Sequence, residues 1–380
     1  MIDFSLEKKD LELIEKYRSF AQEHITPNAQ KYDKSTDFPW PIVKEAYKAG
    51  LMNSALPEKF GGKGYSILQN ALASEELGAA CMGIGISIDA NMLALTPLLL
   101  AANEEQQKRF YGQIVENQEV AAYCLTEPNA GSDVANIKST AIKNGDKYIL
   151  NGHKRFITNG EVASFHTVFA LTDPERGARS LSALVVPTDL PGIEIKPHLQ
   201  KMGQRASVQN EIIYTNVEVP AENLLGGEGH GFPLAMKTFD RTRTGVAALS
   251  VGAARTAFET SRDWAKNRVQ FGKPISANQA IGFMLAEMAT KVELARLITW
   301  KAAWYYEAGL KTPGTLSAMA KMYASDIAME VATDAVQIMG GDGYSTDFGV
   351  EKIMRDVKLA QIYEGTNQIQ RLVISKGILK

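Results

Sequence analysis

The chain has 380 residues, which at about 150 residues per domain makes two or three domains with a substantial core and excludes a small stapled scaffold. Forty-one Lys and Arg stand against 43 Asp and Glu, a net charge of −2, so no basic excess points to nucleic acid or an anionic membrane. Cys81 and Cys124 form no CxxC, and His24, His153, His166, His198 and His230 include no HxxxH pair; no metal site is expected, and a reducing compartment fits.

The N-terminus, MIDFSLEKKDLELIEKY, alternates charge with apolar residues and reads as a first helix rather than a secretory or transit leader. A bacterial cytoplasmic location is expected, or the mitochondrial matrix for a processed eukaryotic chain. Residues 1–119 read as a helical domain, broken at Pro39-Trp40-Pro41, at Pro57 to Gly62 and at Pro97. Between Glu76 and Glu104 the only charge is Asp89. A bilayer span takes about 20 apolar residues, and Asp89, Asn91 and Pro97 interrupt this stretch, so buried helices and no membrane span are expected. Residues 120–227 read as a β domain of short runs: Lys147 to Leu150, Thr167 to Phe169, Leu184 to Pro187, Ile193 to Ile195 and Glu211 to Tyr214. Asn144-Gly145 between two such runs marks a hairpin turn. Residues 228–380 return to helical periodicity, and Ile281, Leu285, Met288, Val292, Ala295 and Ile298 form one apolar stripe.

The common nucleotide and hydrolase signatures are missing. No GxGxxG follows a strand, no GxxxxGK[ST] occurs and there is no GxSxG elbow. Four clusters rich in glycine and small polar residues remain. Ala122 to Asp133 (AYCLTEPNAGSD) opens the β region, where backbone amides and hydroxyls could approach a polar ligand, or where a strand simply turns. Lys154 to Gly160 ends a strand with Phe156 and Thr158 on one face. Gln337 to Tyr344 stops a helix in a loop with three glycines, where one would suffice as a cap. Tyr363 to Gln368 places Glu364 beside the permissive Gly365.

In this order and spacing the clusters resemble the signatures of the acyl-CoA dehydrogenase flavoproteins, over essentially the whole chain. The likeness is to the medium-chain and short-chain branch, through Asp240-Arg241-Thr242-Arg243 and Arg268 to Pro274. It implies an N-terminal α-helical domain, a central β-barrel domain and a C-terminal four-helix bundle, with FAD between the last two. Tyr123, Cys124, Leu125, Thr126, Gly131 and Ser132 would line the cofactor, Ser132 also reaching the thioester arm. Phe156 would stack by the flavin, with Ile157 and Thr158 at its edge and Thr366 and Gln368 completing the site. Arg268, Gln270, Phe271 and Gln279 would hold the FAD of a neighbouring subunit, with Gln337, Ile338, Gly340 and Gly341 on its adenosine half. Asp240, Arg243 and Gly365 would meet the acyl-CoA, and Glu364 would be the catalytic base.

The resemblance further implies desaturation of a fatty acyl-CoA in β-oxidation, a homotetramer, and an electron-transferring flavoprotein as acceptor. A short-chain (butyryl-CoA) dehydrogenase and a same-fold acyl-CoA oxidase are the alternatives; a nucleic-acid-associated relative is disfavoured by Glu364 and the charge balance. Four positions depart from the family pattern: Asn136 replaces a small residue, Phe156 a frequent Trp, Lys376 a CoA-contacting Arg and Asp89 a Glu. Asp89 aligns with the floor of the acyl pocket, where small neighbours point to a C6–C10 substrate.

Overall fold

The computed structural model describes residues 5–310 and 313–379. Helices α1 (Lys8–Phe20), α2 (Ala29–Ser35), α3 (Trp40–Lys48), α4 (Ile67–Ala80), α5 (Met82–Ala101) and α6 (Glu104–Glu116) come first. Ser66 and Asn103 cap α4 and α6, each accepting a backbone N–H that Gln69 or Gln106 answers in return. Pro97 does not break the chain as expected; it lies inside α5. Its ring removes the helical donor to the Leu93 carbonyl, and hydroxyls bond the carbonyls on either side: Thr96 Oγ1 donates to the Met92 carbonyl at 2.6 Å and Thr167 Oγ1 to that of Ala94 at 2.9 Å. Among the described residues α5 alone is long and apolar enough to cross a bilayer, and most of it is buried within the protein, against α4, the first strand and a long helix of the C-terminal domain.

An eight-stranded sheet follows: β1 (Val120–Cys124), β2 (Thr140–Asn144), β3 (Lys147–Thr158), β4 (Ala163–Leu171), β5 (Leu181–Pro187), β6 (Ile193–Ile195), β7 (Gln209–Pro220) and β8 (Leu224–Leu225). Its order is β6-β7-β3-β2-β4-β5-β8, with β1 running parallel beside β4. The expected hairpin joins β2 to β3, Asn144 facing Lys147 across a turn whose Gly145 takes φ 63°. One face of the sheet packs on α5 and α6 through Phe110, Phe165 and Phe169; the other closes over Tyr148, Ile212 and Tyr214.

The 37-residue helix α7 (Gly231–Asn267) is about 55 Å long. The ribbon β9 (Val269–Gln270) and β10 (Lys273–Pro274) leads from it into α8 (Gln279–Glu307), α9 (Pro313–Met339), α10 (Gly341–Tyr344), α11 (Val350–Lys358) and α12 (Asn367–Ile378). The stripe on α8 faces inward, with Met288, Val292 and Ala295 buried. Helix α7 packs against α4, α5, α8 and α9, so N-terminal and C-terminal helices share one core. Its approach to α4 needs glycine: a Cβ on Gly252 would stand 2.0 Å from the Glu75 carbonyl oxygen, and one on Gly78 2.3 Å from that of Leu249.

An ion ladder ties the same helices together. Arg255 on α7 donates to Glu75 at 3.0 Å and to Glu76 at 2.8 Å on α4; Arg18 of α1 meets Glu76 at 3.0 Å, and Arg296 of α8 meets Glu75 at 2.9 Å. Burial works against the charge on Glu76, but the hydrogen bonds of Arg255 and Arg18 hold its carboxyl below the usual range. Removing the middle of the ladder leaves each buried carboxylate with one arginine in place of two. Arg255→Ala should therefore destabilise the protein by about 1–3 kcal/mol, read as a lowered melting temperature at pH 7; an unchanged melt would remove Arg255 from the fold's supports.

Candidate active site

Between α11 and α12 the chain turns through Tyr363-Glu364-Gly365-Thr366, and Glu364 (φ 51°) and Gly365 (φ 87°) are both left-handed. Such a conformation at a non-glycine residue costs about 1–3 kcal/mol and persists only where its surroundings fix it. Here three helices supply donors. Arg243 Nε of α7 donates to the Glu364 carbonyl at 3.4 Å; Gln370 Nε2 of α12 reaches the Glu364 and Gly365 carbonyls at 3.1 and 2.8 Å; Lys321 Nζ of α9 reaches that of Gly365 at 2.8 Å. Arg243 also pairs with Asp240 at 2.9 Å, which fixes the guanidinium that fixes the loop.

Glu364 retains partial exposure as a residue, yet its carboxyl group is enclosed. Burial pushes it up to about 7 against a hydrogen bond from Thr242 Oγ1 (2.9 Å to Oε2) and the charges of Arg243 and Lys321, while Asp89 of α5 pushes the same way as burial. Asp89 itself is raised to about 6 by burial despite a hydrogen bond from Ser74 at 3.3 Å. Tyr123 and Tyr363 stand in the same electrostatic neighbourhood, both raised by burial and by Glu364, and the buried Tyr123 hydroxyl has no hydrogen-bond partner among the described residues.

The first two sequence clusters meet beside this loop. Lys154 Nζ, fully buried, donates to the Leu125 carbonyl at 3.0 Å and to Glu127 at 2.8 Å; the Arg155 N–H donates to the Thr126 carbonyl at 2.9 Å. Lys154 pairs with Ile212 and Ile157 with Asn210, three steps along β3 against two along β7. The extra residue makes a β-bulge, and it turns Phe156 outward with φ 58°, leaving its ring 55% exposed beneath the Arg155 guanidinium at 4.9 Å. Cys124 is buried and within 3.6 Å of the Tyr214 hydroxyl. Thr126 and Thr158 are half-buried, and Thr158 Oγ1 accepts from Gln209 at 3.2 Å. Ser132 is exposed, and a Cβ on the neighbouring Gly131 would meet nothing within 4 Å. An aromatic face, accessible hydroxyls and open space at Gly131 are features that a planar heteroaromatic cofactor can use, so these residues fit a flavin.

Other expected cofactor residues lie elsewhere on this chain. Gly314 of α9 abuts the Asp240 carboxyl near one end of the bundle, whereas Trp264 meets Phe348 near the other, with ring centroids 5.2 Å apart. Arg268 follows that second end, 25 residues beyond Arg243, or about 37 Å along the helix axis. Arg268, Gln270, Phe271 and Gln279 are exposed there, and α9 closes at the same end through Gln337 and the buried Ile338; Gly340 and Gly341 are open beyond it. Along α7 this end lies far from the Arg243 end that grips the base loop. Thr366 caps α12 next to the Glu364 loop, and Gln368 is exposed in the first turn of that helix.

Lys321 and Gln370, which grip the loop, and Thr242, which bonds the carboxyl, were given no role in the sequence. A lone lysine inside the small apolar run Ala318 to Ala324 is the trace that Lys321 leaves. Gln370 has none, because its partners are backbone carbonyls.

Family profiles for the acyl-CoA dehydrogenase N-terminal, middle and C-terminal domains match residues 7–118, 122–217 and 229–379. An acyl-CoA dehydrogenase of Bacillus subtilis is 43% identical over 363 residues, 95% of this chain and 96% of that one. Two solved structures superpose over the full length of both chains. One was obtained in work on the electron transferring flavoprotein of Acidaminococcus fermentans (TM-score 0.97, 42% identity), and the other is butyryl-CoA dehydrogenase from Megasphaera elsdenii (TM-score 0.96, 38% identity). Fold and site together define an FAD-dependent oxidoreductase. The chain belongs to the acyl-CoA dehydrogenase family.

A carboxyl raised from 4.5 to about 7 contributes stability that is complete below pH 4.5 and lost as the pH rises through 7. Glu364→Gln removes that loss. Its gain in melting temperature over the parent should therefore grow from pH 5 to pH 8, and a gain independent of pH would mean that Glu364 ionises normally.

Proposed function

We propose that the protein oxidises a fatty acyl-CoA thioester across its Cα–Cβ bond to the trans-2-enoyl-CoA, with Glu364 as the base. The carrying observation is a carboxyl enclosed, aimed by three helices and raised to about 7, which suits proton abstraction near neutral pH. FAD, when bound, supplies the acceptor for the hydride that leaves Cβ. Tyr123, Cys124, Leu125, Thr126, Gly131, Ser132, Phe156, Ile157, Thr158, Thr366 and Gln368 would hold it from one chain. Arg268, Gln270, Phe271, Gln279, Gln337, Ile338, Gly340 and Gly341 would do so from a neighbour. That division supports a homo-oligomer, which we take to be a tetramer.

Glu364 takes the α-proton, and the charge that develops on the thioester oxygen needs a donor. Among the described residues no backbone carbonyl accepts the Glu364 N–H, which leaves it free for that oxygen. Asp240, Arg243, Ser132 and Gly365 line the approach of the CoA thioester. An electron-transferring flavoprotein is the proposed acceptor, supported by the setting in which the Acidaminococcus relative was solved. Bacterial relatives support a cytoplasmic setting.

For the acyl chain we propose C6–C10, on the reading that small residues around Asp89 leave it room. A second reading, a butyryl-length chain, is favoured by the likeness to butyryl-CoA dehydrogenase and by the Asp89 carboxyl, which shares the field of Glu364 and is a poor end for a long tail. Each buried methylene contributes about 0.8 kcal/mol, so kcat/KM over C4, C8 and C16 thioesters should peak at C8; a peak at C4 selects the short-chain reading.

Glu364→Gln should keep FAD and acyl-CoA binding and slow flavin reduction by about 10²–10⁴-fold. Reduction at the parent rate in anaerobic stopped-flow would mean another base. Arg268→Ala should release flavin and shrink the oligomer together on size-exclusion chromatography; a full-size, fully yellow assembly would take Arg268 out of the site.

A further inference from the structure

Lys321 is fully buried on α9, a costly place for an ammonium group. Its Nζ donates to the Gly365 carbonyl at 2.8 Å and to Asn367 Oδ1 at 2.9 Å, both neutral oxygens. Asn367 in turn donates to Ser325 Oγ at 2.9 Å and to Asp326 Oδ1 at 2.7 Å, so the lysine fixes the base loop and the first residue of α12 at once. Anchoring alone does not need a charge. Gln370 already donates to the same Gly365 carbonyl at 2.8 Å with a neutral amide.

The charge matters for what it faces. Around the Glu364 carboxyl stand Thr242 and Arg243 from α7, Asp89 from α5, Tyr123 from β1, Tyr363 from its own loop and Lys321 from α9. Lys321 is itself faced by Glu364, Arg243 and Asp326, and Arg243 is partly neutralised by Asp240. Burial brings Lys321 down to about 7, into the range of Glu364, so the two groups titrate as a pair. We propose that Lys321 is a positioning residue of the reaction, holding the Gly365 carbonyl so that Glu364 stays aimed and facing the base with a second positive charge beside that of Arg243. The inference rests on Glu364 being the base.

Two variants test it in the FAD-loaded full chain. Lys321→Met removes both donor and charge; Lys321→Gln keeps a neutral donor and removes the charge. Flavin content, melting temperature and the pH dependence of single-turnover flavin reduction are measured for each. Both variants should keep KM while the acid limb of the rate profile moves up by about one pH unit, making the rate about tenfold lower on that side. Lys321→Gln should melt closer to the parent than Lys321→Met. A folded, flavin-loaded Lys321→Gln with the parent's limb and rate overturns the proposal, as does a rate loss that merely follows lost flavin. Failure of the base assignment itself reads out separately, as parent-rate reduction in Glu364→Gln with Lys321 intact.

Discussion

The site depends on keeping two consecutive residues in a backbone conformation that only one of them, a glycine, adopts freely. Left to itself the Glu364–Gly365 turn would relax and carry the carboxyl away. It is held because donors from α7, α9 and α12 converge on two adjacent carbonyl oxygens, and each of those helices is fixed by packing that has nothing to do with the turn. The glycine crossing of α4 and α7 and the Arg255 ladder are thus remote parts of the same apparatus. They set where Arg243 starts from, and Arg243 sets where Glu364 ends.

Much of this was legible in the chain because it is written in local chemistry. The Ser66 and Asn103 caps, the Asn144-Gly145 hairpin and the stripe from Ile281 to Ile298 each obey a rule that spans a few residues. Glu364 was legible through the glycine beside it and the family signature around it. Pro97 misled because a single-residue rule was outweighed by tertiary packing: α5 is buried on both sides of the proline against α4, α7 and β1, segments that no local pattern records. Lys321, Gln370 and the bulge that turns out Phe156 were silent for the same reason. Their partners are backbone atoms of distant segments, which no pattern of side chains records.

The buried charges follow two regimes. Glu75 and Glu76 are matched by arginines at short range, and the hydrogen bonds of Arg255 and Arg18 hold the Glu76 carboxyl below its usual range, which makes the pair structural. Glu364, Lys321 and Asp89 are imperfectly matched, each displaced toward neutrality by burial, and they gather around one loop. Net charge could not distinguish these regimes, since both contribute the same letters to the sequence.

The ribbon of β9 and β10 carries Phe271 at its tip, 99% exposed and in a left-handed conformation, with Gly272 following in the same region. A phenyl ring held into water on a stiff two-stranded lever gains free energy only when something covers it. If that cover is a second copy of the chain, then retention of the yellow cofactor is governed by mass action. It becomes a collective property that falls with dilution, and a sparse population of chains would be poorer in flavin than a dense one with the identical sequence.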